Sequence, residues 1–420
     1  MDVLLRNIGL GEDRKDIAVS GGVISEIAPA FTIRATEGCE VQDCTGRQAV
    51  PGFVNMHAHS PMCMMRGIGE DVLFRDWLRH IWEVEENVDS EFVYWSTKLA
   101  CLEMLRSGTT TFNDHYWHFA ASQKAASEMG VRIATGYDLM DRGSEEVARQ
   151  QRIQCRERTS AAAEQQGPLY VCTLAFHAIY SVSEELMLWA GELAREFNIP
   201  LHIHLSETAG EVEDCKAAHG GLTPVEYLDS LGLLSDKLIA AHTLHLTPHD
   251  VELLGKYHVN CVHNINSNTK LASGYRFLYQ ELRDAGANVC IGTDGAASSN
   301  NFDMLEAMKT SALVQKAWRG NPAAMPLPEL ISMATANGAR ALGLNSGSIE
   351  VGRIADICIV DTGGVAFLSP APFLANYVYS AHSDCIESVM VNGRFVMRNR
   401  QIDGEEEIMR EARRVLKKIC

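Results

Sequence analysis

Short apolar and β-branched runs recur along the chain, separated by helix-period segments, and they predict eight strands. The runs are PGFVNMH near His57, TTTFND near Asn113, VRIATGYDL near Tyr137, YVCTLAFHA near His177, LHIHLSE near Glu207, LIAAHTL near His242, NCVHNIN near His263 and NVCIGTD near Asp294. Eight strands alternating with helices predict an α/β fold, a (β/α)8 TIM barrel over residues 51–349. Spacing agrees: His59 and His204 are 145 residues apart across four units, and His204 and Asp294 are 90 apart across three, against about 30 residues per unit in such barrels.

The surplus in the first interval falls on Pro61 to Asn87, too long for an ordinary connection and carrying Glu70, Asp71, Trp77, Trp82 and Glu85. This segment is expected to cover a substrate. After it, Phe92, Trp95, Leu99 and Leu102 share a helical face that reads as core, and Gly108 stands where a helix ends in left-handed backbone. The chain ends behave differently. MDVLLRNIGL, DIAVSGGVISEIAP, ADICIVDT and SVMVNGRFVMRN alternate like antiparallel strands joined by glycine turns. Residues 1–50 and 350–420 are therefore expected to pair as a small β-sandwich domain. EEEIMREARRVLKKI reads as a solvated amphipathic helix.

A hydrophobic share of 46% over 420 residues permits a large core. A net charge of −17 without a basic stripe argues against nucleic-acid partners. The N-terminus lacks a basic stretch followed by an apolar one, and no apolar run approaches the roughly 18 residues that span a membrane. Cytoplasmic residence without a membrane partner is expected. The 12 cysteines, from Cys39 to Cys420, are scattered without a CxxC pair and read as reduced, mostly buried thiols.

Candidate chemistry begins at Asn55 Met56 His57 Ala58 His59, where two imidazoles one residue apart on a strand face the same way and can grip one metal ion. Further candidates end later strands: His204, His242 and Asp294. In LHIHLSE, period two puts His202, His204 and Ser206 inward with Glu207 just past the strand. His204, nearer the rim, is assigned to the metal, and His202 is left as a core or supporting histidine. Asp294 can both bind the ion and take a proton from its water. His242 is cast as partner of that activated water. Glu207 can pass a proton to a substrate ring nitrogen. Zinc is the first expectation for the ion and iron the second, although manganese and nickel accept the same donors.

The set HxH, HLSE, AAH and GTDGAASSN resembles the amidohydrolase superfamily over nearly the whole chain. PMCMMRGIGED, HLSETAGEVED, TPVEYLDSLGLL, HNINSNTKLASG and GTDGAASSNNFDMLEAMKTSALV resemble its methylthioadenosine and S-adenosylhomocysteine deaminases and chlorohydrolase-like relatives. The resemblance implies one divalent metal on His57, His59, His204 and Asp294, with Glu207 and His242 in the roles above. No lysine ends the fourth strand, where binuclear members carry a bridge. It further implies that Glu85, or the adjacent Glu86, holds ribose hydroxyls, that His177 contacts substrate, and that the protein is a homo-oligomer. Where the family has prolines, this chain has Phe176 and Ile179 around His177, and Ile265 after Asn264. Where relatives that take a carboxylate-bearing substrate show an arginine, this chain has GYDLMD, leaving Arg142 or Arg149 for that role.

The leading expectation is hydrolytic deamination at C6 of an adenine nucleoside, with Trp77 and Trp82 offering aromatic surface to the base. A second expectation keeps the centre but changes the heterocycle to guanine, 8-oxoguanine, a pterin or a triazine. A third, of another class, is a metal-free barrel serving as an assembly module.

Overall fold

The computed structural model describes residues 1–419. All eight expected strands are present and parallel. Seven of them run Phe53–His59, Thr109–Asp114, Arg132–Leu139, Tyr170–Phe176, Leu201–Leu205, Leu238–His242 and Asn260–His263, each paired with the next in chain order. The eighth is broken. Asn288–Ile291 pairs with the seventh strand and Asp294–Gly295 with the first, which closes the sheet into a barrel. Every residue of the second, fourth, fifth, sixth and seventh strands is buried. They lie between helices outside and side chains inside, so burial is continuous along them even where the sequence is polar, as in Thr109–Asp114, or alternates, as in Leu201–Leu205.

The break in the eighth strand has two visible causes. A Cβ at Gly292 would lie 2.5 Å from Asn264 Oδ1 and 2.9 Å from the His57 Cβ, so only glycine lets the backbone pass there. Beside it, the Thr293 amide donates to Asn55 Oδ1 at 3.0 Å, and Asn55 Nδ2 donates to Thr293 Oγ1 at 2.7 Å. The fully buried Asn55 thus fastens the eighth strand to the first.

After the first strand comes the expected insertion: a 3-10 turn, Ser60–Met65, and a helix, Phe74–Glu85, whose Trp77, Ile81 and Glu85 are buried on one face at i, i+4 spacing. The next helix, Ser90–Arg106, starts on Asp89, whose carboxylate accepts from the Phe92 amide. It ends at Gly108, with φ +85°. Phe92 and Leu102 are core residues, as expected.

The chain ends meet in one hydrogen-bonded eight-stranded sheet. Arg47–Pro51 runs antiparallel to Ile357–Asp361 and joins the two halves, and Glu40–Asp43 branches off as a parallel partner of Val3–Leu10. Leu5, Ile8, Ile17, Val19, Ile357 and Met390 form its core. The tail helix Glu405–Leu416 lies instead against the barrel helix Ser90–Arg106, with Ile408, Ala412 and Val415 turned inward. The eleven cysteines among the described residues are free thiols, and Cys420 lies outside those residues. No helix among them is long and apolar enough to cross a membrane.

One buried ion pair ties the end sheet to the barrel. Arg132 and Asp356, with side chains 0% and 2% exposed, meet at 2.5 Å. Arg132 also donates to the Pro168 carbonyl and Thr111 Oγ1, and Asp356 accepts from the Asn392 amide. Removing one partner leaves the other charge buried and unpaired. Asp356→Ala is expected to cost about 3–5 kcal/mol, read as a drop of several degrees in the thermal unfolding midpoint. An unchanged midpoint would show that the pair does not seat the sheet on the barrel.

Candidate active site

Strand ends supply the site. Period two places His57 and His59 on the inner face of the first strand, and His202 and His204 on that of the fifth. His242 closes the sixth strand and Asp294 opens the last piece of the eighth. Three of these ends bend through left-handed backbone at non-glycine residues: Ser206 with φ +52°, His242 with +74° and Asp294 with +63°. Such conformations, rare outside glycine, persist where surrounding structure imposes them, and they turn the polar groups over the barrel mouth.

The donor atoms converge. Asp294 Oδ1 lies 3.3 Å from His57 Nε2 and 3.2 Å from His59 Nε2, and His59 Nε2 lies 3.2 Å from His204 Nε2. Four ligands bonded tetrahedrally to one zinc ion stand about 3.3–3.4 Å apart, so the observed edges fit a cation cradle. His57 Nε2 is buried without a hydrogen-bond partner, a cost that a cation removes. The outward nitrogens are taken. His57 Nδ1 meets His202 Nε2 at 3.0 Å, while His59 Nδ1 and His204 Nδ1 donate to the carbonyls of His115 (2.5 Å) and His177 (2.9 Å). Each ring is therefore fixed with Nε2 facing the centre.

Charge agrees with geometry. Burial holds His57 down at about 3 and His204 well below the usual imidazole range, so both rings are neutral donors of a lone pair. Burial opposes charge on His59 and Asp294 as well, but the close Asp294 carboxylate raises His59 to about 9, and the His57 and His59 rings together hold Asp294 well below the carboxylate range. The cradle thus already keeps one positive charge where a divalent ion would stand.

Beside the cradle, Glu207 Oε2 lies 3.7 Å from His242 Nε2. Burial, reinforced by the charges of Asp294 and Glu211, pushes the Glu207 carboxyl well above its ordinary value. Asn268 Nδ2 donates to His242 Nδ1 at 2.9 Å, which leaves the His242 proton on Nε2, facing Glu207. Glu211 anchors this loop, accepting from the Ser206 and Glu207 amides at 2.8 and 2.7 Å.

A cavity opens above these groups. The insertion helix contributes Phe74, Trp77, Leu78, Ile81, Trp82 and Glu85, facing His177, Trp117 and Tyr180 across it. Glu85 is buried in the cavity wall whereas Glu86 is exposed, which separates two residues adjacent in sequence. Glu85 Oε1 has no hydrogen-bond partner, and burial raises its carboxyl to about 7. His177 is oriented by Ser181, 2.8 Å from its Nδ1. Arg142 is exposed and lies over the Trp82 ring at 4.4 Å, while Arg149 is exposed and paired with Glu146.

Residues 49–396 match the Amidohydrolase family. The chain belongs to that family. It is 41% identical over 416 residues to a 5'-deoxyadenosine deaminase of Methanoregula boonei, covering 98% of this chain and 93% of that one. It is 39% identical to a 5-methylthioadenosine/S-adenosylhomocysteine deaminase of Thermococcus sibiricus, covering 94% of each. The solved structure of an adenosine deaminase from Xanthomonas campestris with bound zinc superposes with a TM-score of 0.92 at 32% identity, covering 100% of this chain and 98% of that one. Membership makes the chain a hydrolase acting on C–N bonds.

In this amidohydrolase the structure adds residues that the sequence pattern left unmarked. His115, just past the second strand, and Asp138, near the end of the third, line the cavity together with Tyr116. Their signal was available: each sits at the C-terminal end of a barrel strand, where side chains face the mouth. Glu211 carried no such signal, since it acts only by accepting from two loop amides.

That role is testable. In Glu211→Ala two buried amides lose their acceptor, at about 1–3 kcal/mol each. The expected result is a lower unfolding midpoint together with at least tenfold lower turnover at near-unchanged metal content, with Glu211→Gln between. Wild-type turnover in the alanine variant would remove Glu211 from the site's support.

Proposed function

We propose that this amidohydrolase is a metal-dependent deaminase that hydrolyses the 6-amino group of an adenine nucleoside, giving the hypoxanthine nucleoside and ammonia. The observation that carries the reading is the pairing of the cradle and Glu207 with an aromatic cavity whose wall holds the buried Glu85, with its Oε1 lacking a hydrogen-bond partner. A planar base fits between aromatic side chains, and a ribose diol offers a donor to the Glu85 oxygen that lacks one. The deaminase names of relatives at 39–41% identity support the same reading.

His57, His59, His204 and Asp294 would hold one divalent ion, zinc before iron, in keeping with a donor set of three imidazole nitrogens and a carboxylate. When bound, the ion polarises a water molecule for attack on the ring carbon. The chain's own groups do the rest. Glu207, kept protonated by burial, delivers its proton to the ring nitrogen beside the reacting carbon. His242 points its Nε2 proton at the same space and orients the attacking oxygen. Asp294, ionised, would take one proton from the attacking water and pass it to the departing amine, and the hydroxyl left on the ring carbon would return its proton to Glu207, so that ammonia leaves and both groups are restored. Trp82 and His177 stand at 6.4 Å from each other and bound the place where the nucleoside sits. The apolar wall keeps bulk water from competing for these protons.

Glu207→Gln is expected to retain bound metal and lose on the order of 10²–10⁴-fold in turnover, measured by ammonia release and metal analysis on one preparation. His204→Ala, in contrast, loses the metal itself. Glu85→Ala is expected to lower kcat/KM for adenine nucleosides by about 10–100-fold and to spare any free base. An equal loss on both substrate types would move the activity from nucleosides to another heterocycle.

A further inference from the structure

The segment Asn264 to Gly274, which follows the seventh barrel strand, reaches both groups that handle protons beside the cradle. Its Asn268 amide donates to His242 Nδ1 at 2.9 Å, and the Ser273 hydroxyl donates to Glu207 Oε1 at 3.4 Å. Among the described residues this is the one hydrogen bond that the Glu207 carboxyl accepts. The backbone presenting Ser273 is strained. Ala272 takes φ +53° and Gly274 φ +150°, so Ser273 stands between two residues in conformations that L side chains rarely adopt. A Cβ on Gly274 would lie 2.8 Å from Leu244 Cδ2. Two bonds hold the turn: His245 Nε2 donates to the Ser273 carbonyl at 2.6 Å, and the Gly274 amide donates to the Asn268 carbonyl at 3.3 Å. Strain fastened in this way, in a turn that ends on a buried acid, points to a backbone kept for where it aims one side chain.

That aim has a chemical consequence. A neutral carboxyl carries its proton on one oxygen, and the oxygen that accepts from Ser273 keeps its lone pairs. The proton therefore sits on Oε2, which lies 3.7 Å from His242 Nε2. At that distance the two groups are not hydrogen-bonded to each other, so both hold their protons free for a molecule in the cavity that they line. Once Glu207 has given its proton away, the same hydroxyl faces a carboxylate, and a hydrogen bond to an anion is shorter and stronger than one to a neutral acid. The 3.4 Å contact, long for a hydroxyl donor, is placed to tighten at that step. Its contribution then falls on the reaction and not on substrate binding.

We propose that Ser273 is the positioning residue of the acid: it holds Glu207 by Oε1 and so turns Oε2, with its proton, toward the space shared with His242. The inference rests on Glu207 acting as the acid in the reading above.

A double-mutant cycle separates this role from simple support of the fold. Wild type, Ser273→Ala, Glu207→Gln and the combined variant are compared as zinc-loaded, full-length protein, with ammonia release from 5'-deoxyadenosine and zinc content measured on the same preparations. Ser273→Ala is expected to lower kcat about 5–50-fold, with KM within about twofold of wild type and zinc content unchanged. In the Glu207→Gln background the same substitution is expected to cost less than about twofold, because the acid that it positions is gone. An equal fold-loss in both backgrounds overturns the inference, since Ser273 would then act through something other than Glu207. So does a Ser273→Ala variant that loses zinc or unfolds, which would mark the residue as structural, or one that spares kcat and raises KM. If Glu207→Gln keeps wild-type turnover, the acid assignment itself fails and the inference with it. A large loss in Glu207→Gln beside wild-type turnover in Ser273→Ala removes the inference alone.

Discussion

Closing the barrel and completing the cradle are a single contact. The eighth strand can pair with the first only where Asp294 lies opposite Ala58 and Gly295 opposite His59, and this register brings the Asp294 carboxylate against both rings of the HxH pair. Gly292 and the Asn55–Thr293 bonds enforce that register from one side, and the mutual attraction of His59 and Asp294 enforces it from the other. A shift by one residue would turn Asp294 away from the mouth and place Thr293 or Gly295 there. The polar groups can be desolvated together because a positive charge, whether a shared proton or a metal ion, sits among them.

The second layer is built from backbone as much as from side chains. His59 and His204 each donate outward to a carbonyl just past the end of another barrel strand, those of His115 and His177. Ring orientation is thereby tied to the strand ends themselves, and no flexible side chain intervenes. The left-handed residues at Ser206, His242 and Asp294 cost about 1–3 kcal/mol each, a load borne by the closely packed strands behind them. A strand end bent in this way aims its side chain across the mouth instead of along the barrel axis.

Much of this was legible in the sequence because most of these barrel strands are short apolar or β-branched runs that end in polar residues at the C-terminal mouth. The eight runs, the HxH pair, His204, His242, Asp294 and Glu207 all mark such transitions. The choice between Glu85 and Glu86 was also present as helical phase, since Glu85 continues the face of Trp77 and Ile81. What stayed hidden depends on distance between elements. His115 and Asp138 have no sequence relation to each other, and nothing local says that strands two and three bring them to 3.0 Å. Alternation in the chain ends revealed strands but not their partners, so the branching of Glu40–Asp43 from a single sheet emerges only from the pairing. The tail helix shows the reverse case: its apolar stripe was plain, but a stripe does not name the helix that covers it.

The division of labour between floor and wall has a physical basis. Groups that move protons come from barrel strands, where packing on all sides holds them to the small tolerances that proton transfer requires. Much of the apolar wall comes from the insertion helix, which hangs on one connection after the first strand and meets the rest through Trp77 and Ile81. Changes in that helix alter what fits over the floor without disturbing strand register.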